Sequence, residues 1–116
     1  MERIFIHTVI FDKRWEELNL TDNDLWGLQE YILQNPGIGD IIVGTGGAIK
    51  LRWALPNTGK RGGIRIIYID LINFEKIYLL TCYPKSKKDN LTDKEKSAIK
   101  ETLKRITKAE EEIFNG

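Results

Sequence analysis

The chain has 116 residues, 41% of them hydrophobic and 30% charged, and a formal net charge of +1. That length suits one domain, residues 1–116, with a core that needs no metal or disulfide staple, and the single cysteine, Cys82, excludes an internal disulfide and points to a reducing, cytoplasmic setting. No apolar run approaches the ~18 residues of a membrane span, and no basic segment followed by an apolar one opens the chain, so membrane-embedded and secreted classes are set aside.

In chain order, the β-branched and aromatic run at residues 3–11 predicts a strand, and residues 12–18 predict a short helical turn. Thr21 is placed to cap a second helix that ends near Gln34. Leu25, Leu28, Ile32 and Leu33 give that helix its apolar face, and Asn35-Pro36-Gly37 stops it. Three further strands are expected at about 48–55, 64–72 and 76–83, with connections that suit antiparallel hairpins. Thr92 and Glu95 form a capping-box pattern ahead of one long amphipathic helix carrying Ile99, Leu103, Ile106 and Ile113. The acids at 110–112 interrupt that stripe, so the helix end is expected to be solvated. The order β-α-α-β-β-β-α predicts an α+β fold: a small, mostly antiparallel sheet with helices packed on it and a long C-terminal helix.

Charge is segregated along this order. Residues 1–43 carry three basic and eight acidic side chains, residues 44–91 nine and three, and residues 92–116 six of each. Residues 44–63 hold six of the ten glycines and four cations, and no acid. Such a local positive field attracts polyanions, whereas a merely solvated surface mixes its signs.

Strand alternation sorts those cations. Ile49, Leu51, Trp53 and Leu55 should face the helices, leaving Lys50 and Arg52 on an open face. Ile64, Ile66 and Tyr68 form one set, with Arg65 on the other side. Thr81 and Tyr83 share a face, and Lys85 lies just beyond the strand end. Gly46, Gly47, Gly62 and Gly63 lead into the cationic strands, where glycine serves either a tight turn or close backbone approach to a ligand. The sequence Gly59-Lys60-Arg61 lacks the Ser or Thr of a phosphate-binding loop, and Ala54 stands where its first glycine belongs. One histidine and one cysteine do not build a metal site, so no metal or other cofactor is expected. His7 reads as structural. Cys82 is placed with Tyr78 and Leu80 on the core face as a buried thiol.

The stretches GTGGAIKLRW (44–53), GKRGGIRIIY (59–68) and IYLLTCYPKSKKDNLT (77–92) resemble the RelE-like toxins of toxin–antitoxin pairs, especially their HigB-type branch. The resemblance covers about residues 40 to 92 in order and spacing. It implies an mRNA interferase that cuts messenger RNA on the ribosome and is held inactive by a cognate antitoxin, a helix-turn-helix protein from an adjacent gene. The chemistry implied is metal-independent attack of a ribose 2′-hydroxyl on the adjacent phosphate. Lys50, Arg52, Arg65, Tyr83 and Lys85 are then the catalytic candidates. Lys50 would act as base with its charged form disfavoured by neighbouring cations, and the arginines would clamp the phosphate. Gly46, Gly47, Lys60, Arg61, Lys87 and Lys88 are the RNA-binding candidates. An acidic antitoxin segment is expected over the face of Lys50, Arg52 and Arg65. The alternative is a catalytically silent RNA- or protein-binding relative of the same fold.

Overall fold

A computed structural model describes residues 2–54, 63–88 and 90–116. The first strand, β1, is shorter than its composition predicts. It spans Ile4–His7, and Thr8 turns the chain into helix α1, Val9–Glu17. The Thr8 hydroxyl accepts the Phe11 N–H at 3.0 Å and donates to the Leu80 carbonyl at 2.7 Å, so one side chain caps the helix and ties it to the sheet. Local β-propensity at Val9-Ile10-Phe11 loses to this cap and to complete burial of Phe11. Helix α2, Asp22–Gln34, begins at Thr21 as predicted, with Asp24 closing the capping box.

Among the described residues the sheet has five strands where four were expected. A two-residue strand, β2 (Asp40–Ile41), precedes β3 (Ile49–Trp53), β4 (Ile64–Leu71) and β5 (Lys76–Pro84). The spatial order is β1-β5-β4-β3-β2; β1 pairs parallel with β5 and every other pairing is antiparallel. Helix α3, Asp93–Asn115, starts from the expected box: Thr92 Oγ1 accepts the Glu95 N–H, and a Glu95 carboxylate oxygen accepts the Thr92 N–H at 2.9 Å.

Two cores flank the sheet. On one side Phe11 and Trp15 of α1 and Leu28 and Ile32 of α2 pack on Leu51, Ile64, Ile66, Ile77 and Leu79. On the other side Leu103 of α3 packs with Ile67, Ile69, Leu80 and Tyr83. The face bearing Lys50 and Arg65 is therefore not open along its length, because α3 covers much of it. Alternation alone assigns residues to faces but does not say which faces are covered.

Two further expectations change. Pairing of β4 with β5 shifts between Ile67 and Tyr68, so that Ile67 opposes Thr81 while Tyr68 opposes Leu79. This bulge at Leu80 resets the alternation, and Cys82 joins Ile77 and Leu79 rather than Tyr78 and Leu80. Its thiol is buried, and that burial pushes its pKa up to about 12. The end of α3 is not wholly solvated either. Glu110 is buried and accepts from Lys76 Nζ at 2.7 Å and from the Tyr78 hydroxyl at 2.8 Å, while Glu111 and Glu112 remain exposed.

Candidate active site

The register of the three central strands builds the site. Arg52 of β3 lies opposite Arg65 of β4, and Arg65 lies opposite Tyr83 of β5. The three side chains thus form a row across one end of the sheet, on the side shared with α3. Ladder spacing brings such neighbours to within about 5.5 Å at the Cα atoms. Like charges placed directly opposite each other destabilise a sheet, which makes Arg52–Arg65 an unusual choice for a purely structural strand pair. Arg65 is 1% exposed and Tyr83 3%, whereas Arg52 is exposed. The row therefore presents one accessible guanidinium backed by a buried cation and a buried phenol.

Lys50 lies one step inward, on the same face as Arg52. Its Nζ donates to Asn90 Oδ1 at 3.1 Å, in a pocket of about 220 Å³ that Asp40, Ile42 and Lys96 also line. The β4–β5 ladder continues one step past Ile64 and Pro84, where the Lys85 N–H donates to the Gly63 carbonyl at 3.3 Å. Lys85 is exposed there, at the end of the row. The following turn returns Lys88 over Tyr83, with Nζ 5.0 Å from the ring centroid, and pairs it with Glu95 at the start of α3. That pairing and the Thr92 N–H hold the Glu95 carboxyl below its ordinary pKa. A cleft of about 350 Å³ opens beside these groups, walled by Arg14, Glu17, Tyr83, Lys87 and Lys88.

The structure thus brings together Arg52, Arg65, Tyr83, Lys85 and Lys88, with Lys87 at the cleft and Lys50 adjoining. Gly46 and Gly47 are not part of this group. They have φ of +84° and +121° in the turn before β3, and β3 runs from there toward Arg52 at its far end. Gly46 instead borders a groove beside Lys100, Lys104 and Lys108 of α3. The turn is built around buried Thr45, whose hydroxyl donates to the Ile42 carbonyl and accepts the Ala48 N–H, so tight turning accounts for its glycines. Lys60, Arg61 and Gly62 lie outside the described residues.

Three nearby polar residues escaped the sequence reading: Arg14, Asn90 and Lys96. Arg14 belongs to the acidic first third, Asn90 to the stretch 77–92 that carries the family resemblance without being singled out there, and Lys96 to a segment read only as a helix start. Only folding places them beside β3 and β5. His7 is held by Asp12 at 3.1 Å and Gln29 at 3.1 Å, consistent with a structural role. Among the described residues no three His, Cys, Asp or Glu side chains gather as a metal site.

An open α+β sheet with a row of cations and a phenol at one end defines the class of this protein. A family model described as the RelE toxin of the RelE/RelB toxin–antitoxin system matches residues 2–115, and the chain belongs to that family. Membership implies a toxin with a cognate antitoxin as partner and suggests an mRNA interferase, since toxins of this family are generally endoribonucleases. No described helix is long and apolar enough to cross a membrane.

Proposed function

We propose that this RelE-family chain is a ribosome-dependent mRNA endoribonuclease of the HigB-type branch, working in the cytoplasm without a metal ion. The observation that carries the reading is the row Arg52–Arg65–Tyr83. Phosphoryl transfer needs positive charge around the pentavalent phosphorane and positioned groups for two protons. The row and its neighbours supply both kinds of group.

In the proposed reaction Lys50 takes the proton of a ribose 2′-hydroxyl as its oxygen attacks the adjacent phosphorus. Arg52 and Arg65 hold the phosphate oxygens, because a planar fork matches them better than an ammonium does. The bond from phosphorus to the 5′-oxygen breaks, and that oxygen takes a proton from Tyr83 or Lys85. The products are a 2′,3′-cyclic phosphate and a 5′-hydroxyl. Lys87 and Lys88 add charge along the RNA path, and Lys60 and Arg61 are proposed to do the same.

The test is to express the chain alone, map cleavage of translated and untranslated messages, and identify the product ends. Expected are growth arrest, cuts confined to translated messages and cyclic-phosphate ends on the fragments. A 5′-phosphate product, the signature of a metal-activated water as nucleophile, or equal cutting of untranslated messages would falsify the reading.

A further inference from the structure

The Tyr83 ring is not presented to a ligand in this conformation. The ring packs in the core that α3 closes, and on its cleft side the Lys88 ammonium lies 5.0 Å from the ring centroid. The same ammonium is paired with Glu95, and the two carboxylate oxygens of Glu95 have separate duties. One accepts the Thr92 N–H at 2.9 Å and completes the cap of α3, while the other takes Lys88. Both partners of the pair are about one-third exposed, at 31% and 33%, so an incoming anion can reach them. The cleft walled by Arg14, Lys87 and Lys88 opens at this point.

We propose that Glu95 is a positioning residue that latches Lys88 over the Tyr83 ring, and that an RNA phosphate releases the latch by taking Glu95's place as the counter-ion of Lys88. This rests on the nuclease reading above. A carboxylate and a phosphate compete for the same ammonium, and the phosphate carries further contacts to the arginine row that Glu95 lacks. Once Lys88 follows the phosphate, the cleft side of the Tyr83 ring is uncovered beside the reacting group. The cap of α3 survives, because it uses the other carboxylate oxygen.

Glu95→Gln separates the two duties, since its amide oxygen still accepts the Thr92 N–H while the charge that holds Lys88 is gone. The first readout is tyrosine nitration of the free protein, mapped by peptide, with Tyr31 (38% exposed) as internal reference. Tyr83 should nitrate about twofold to fivefold faster in Glu95→Gln, the shift expected on releasing an exposed ion pair. Lys88→Gln should do the same. The second readout is affinity for a short 2′-deoxy RNA analogue, which cannot be cut because it lacks the attacking hydroxyl. Glu95→Gln should bind it about twofold to fivefold more tightly. It should gain nothing when Lys88→Gln is already present. Glu101→Gln removes the same charge from an exposed α3 site paired with Lys104, and should not reproduce the gain. Unchanged Tyr83 nitration in Glu95→Gln overturns the latch and leaves the nuclease reading standing. An equal gain in the Lys88→Gln background or in Glu101→Gln overturns it too, by reducing the effect to net charge. Normal nitration behaviour in a wild-type protein that neither binds the analogue nor cuts RNA overturns the nuclease reading, and with it the phosphate as competitor.

Discussion

Arg52 stands opposite Arg65 on the neighbouring strand, where a sheet built for stability would place an apolar or opposite-charge pair. If the pair is kept for chemistry, stability and activity should separate on mutation. Arg52 is exposed, so Arg52→Thr, which keeps β-propensity, should leave the melting temperature unchanged or raise stability by up to about 1 kcal/mol. Cleavage should fall by about 10²–10³, the usual cost of losing a positioned transition-state charge. Thermal melts and single-turnover cleavage check this together, and a variant that loses stability while keeping full activity contradicts the assignment. Arg65→Ala should relieve growth arrest as well, but its burial calls for a circular dichroism check of the fold before the result is read.

Glu110 shows a second residue whose setting fixes its behaviour. Hydrogen bonds from Lys76 and then Tyr78 hold its carboxyl below the ordinary value, while burial and Glu110 push the Tyr78 phenol from 10.0 up to about 12. Because Glu110's folded-state pKa is depressed, its contribution to stability is complete above the unfolded carboxylate pKa of about 4.3 and disappears as pH falls through the folded value. Acid unfolding of Glu110→Gln should therefore be less pH-dependent in that range. Spectrophotometric titration of the same variant should show the Tyr78 phenol ionising at lower pH than in wild type, though still above 10 because burial is the larger cause. An unmoved phenol would mean that Glu110 does not sit against it.

At the scale of elements, α3 is pinned at both ends: by the Thr92–Glu95 box at its start and by Glu110 on β5 near its finish. Truncation after Thr107 removes the second anchor and leaves Lys76 and Tyr78 without their acceptor. It should cost about 1–3 kcal/mol, measured by denaturant unfolding, so the helix end is not a neutral place to cut. The start of β4 is constrained differently. Gly63 has φ of +72°, and a Cβ there would lie 2.6 Å from the Trp53 carbonyl oxygen. Gly63→Ala should destabilise by more than about 1 kcal/mol, whereas Gly46→Ala, strained by its φ but meeting nothing within 4 Å, should cost less. Equal midpoints in urea for the two variants would put the β3–β4 approach in error.

At the scale of the molecule, the fold gathers cations from β3, β4, the turn after β5 and α1 at one end of the sheet, which is the field a polyanion meets first. A cognate antitoxin that masks this end with acidic side chains should lose affinity as salt screens the charge pairs. The substitutions Lys50→Glu and Arg52→Glu should weaken the complex in a titration calorimeter. Affinity untouched by charge reversal at both positions would mean that inhibition works from another surface.

Much of this was legible without coordinates. Capping boxes and helical stripes are local, so α2 and α3 followed from Thr21, Thr92 and the spacing of the apolar residues. Period-two alternation likewise separated Lys50, Arg52 and Arg65 from Leu51, Ile64 and Ile66, which pack against α1 and α2. Other features depend on contacts between residues far apart in the chain. Thr8 ends β1 because it reaches Leu80, the two-residue β2 exists only as a partner for β3, and the bulge at Leu80 reverses the face of Cys82. The sequence by itself determined which side chains carry positive charge and which way they point from their strands. Only the tertiary structure decided that α3 lies across that face, burying Arg65 and Tyr83 and setting Glu95 against Lys88. Periodicity encodes the direction of a side chain, whereas what covers it is settled by packing between elements distant in the chain.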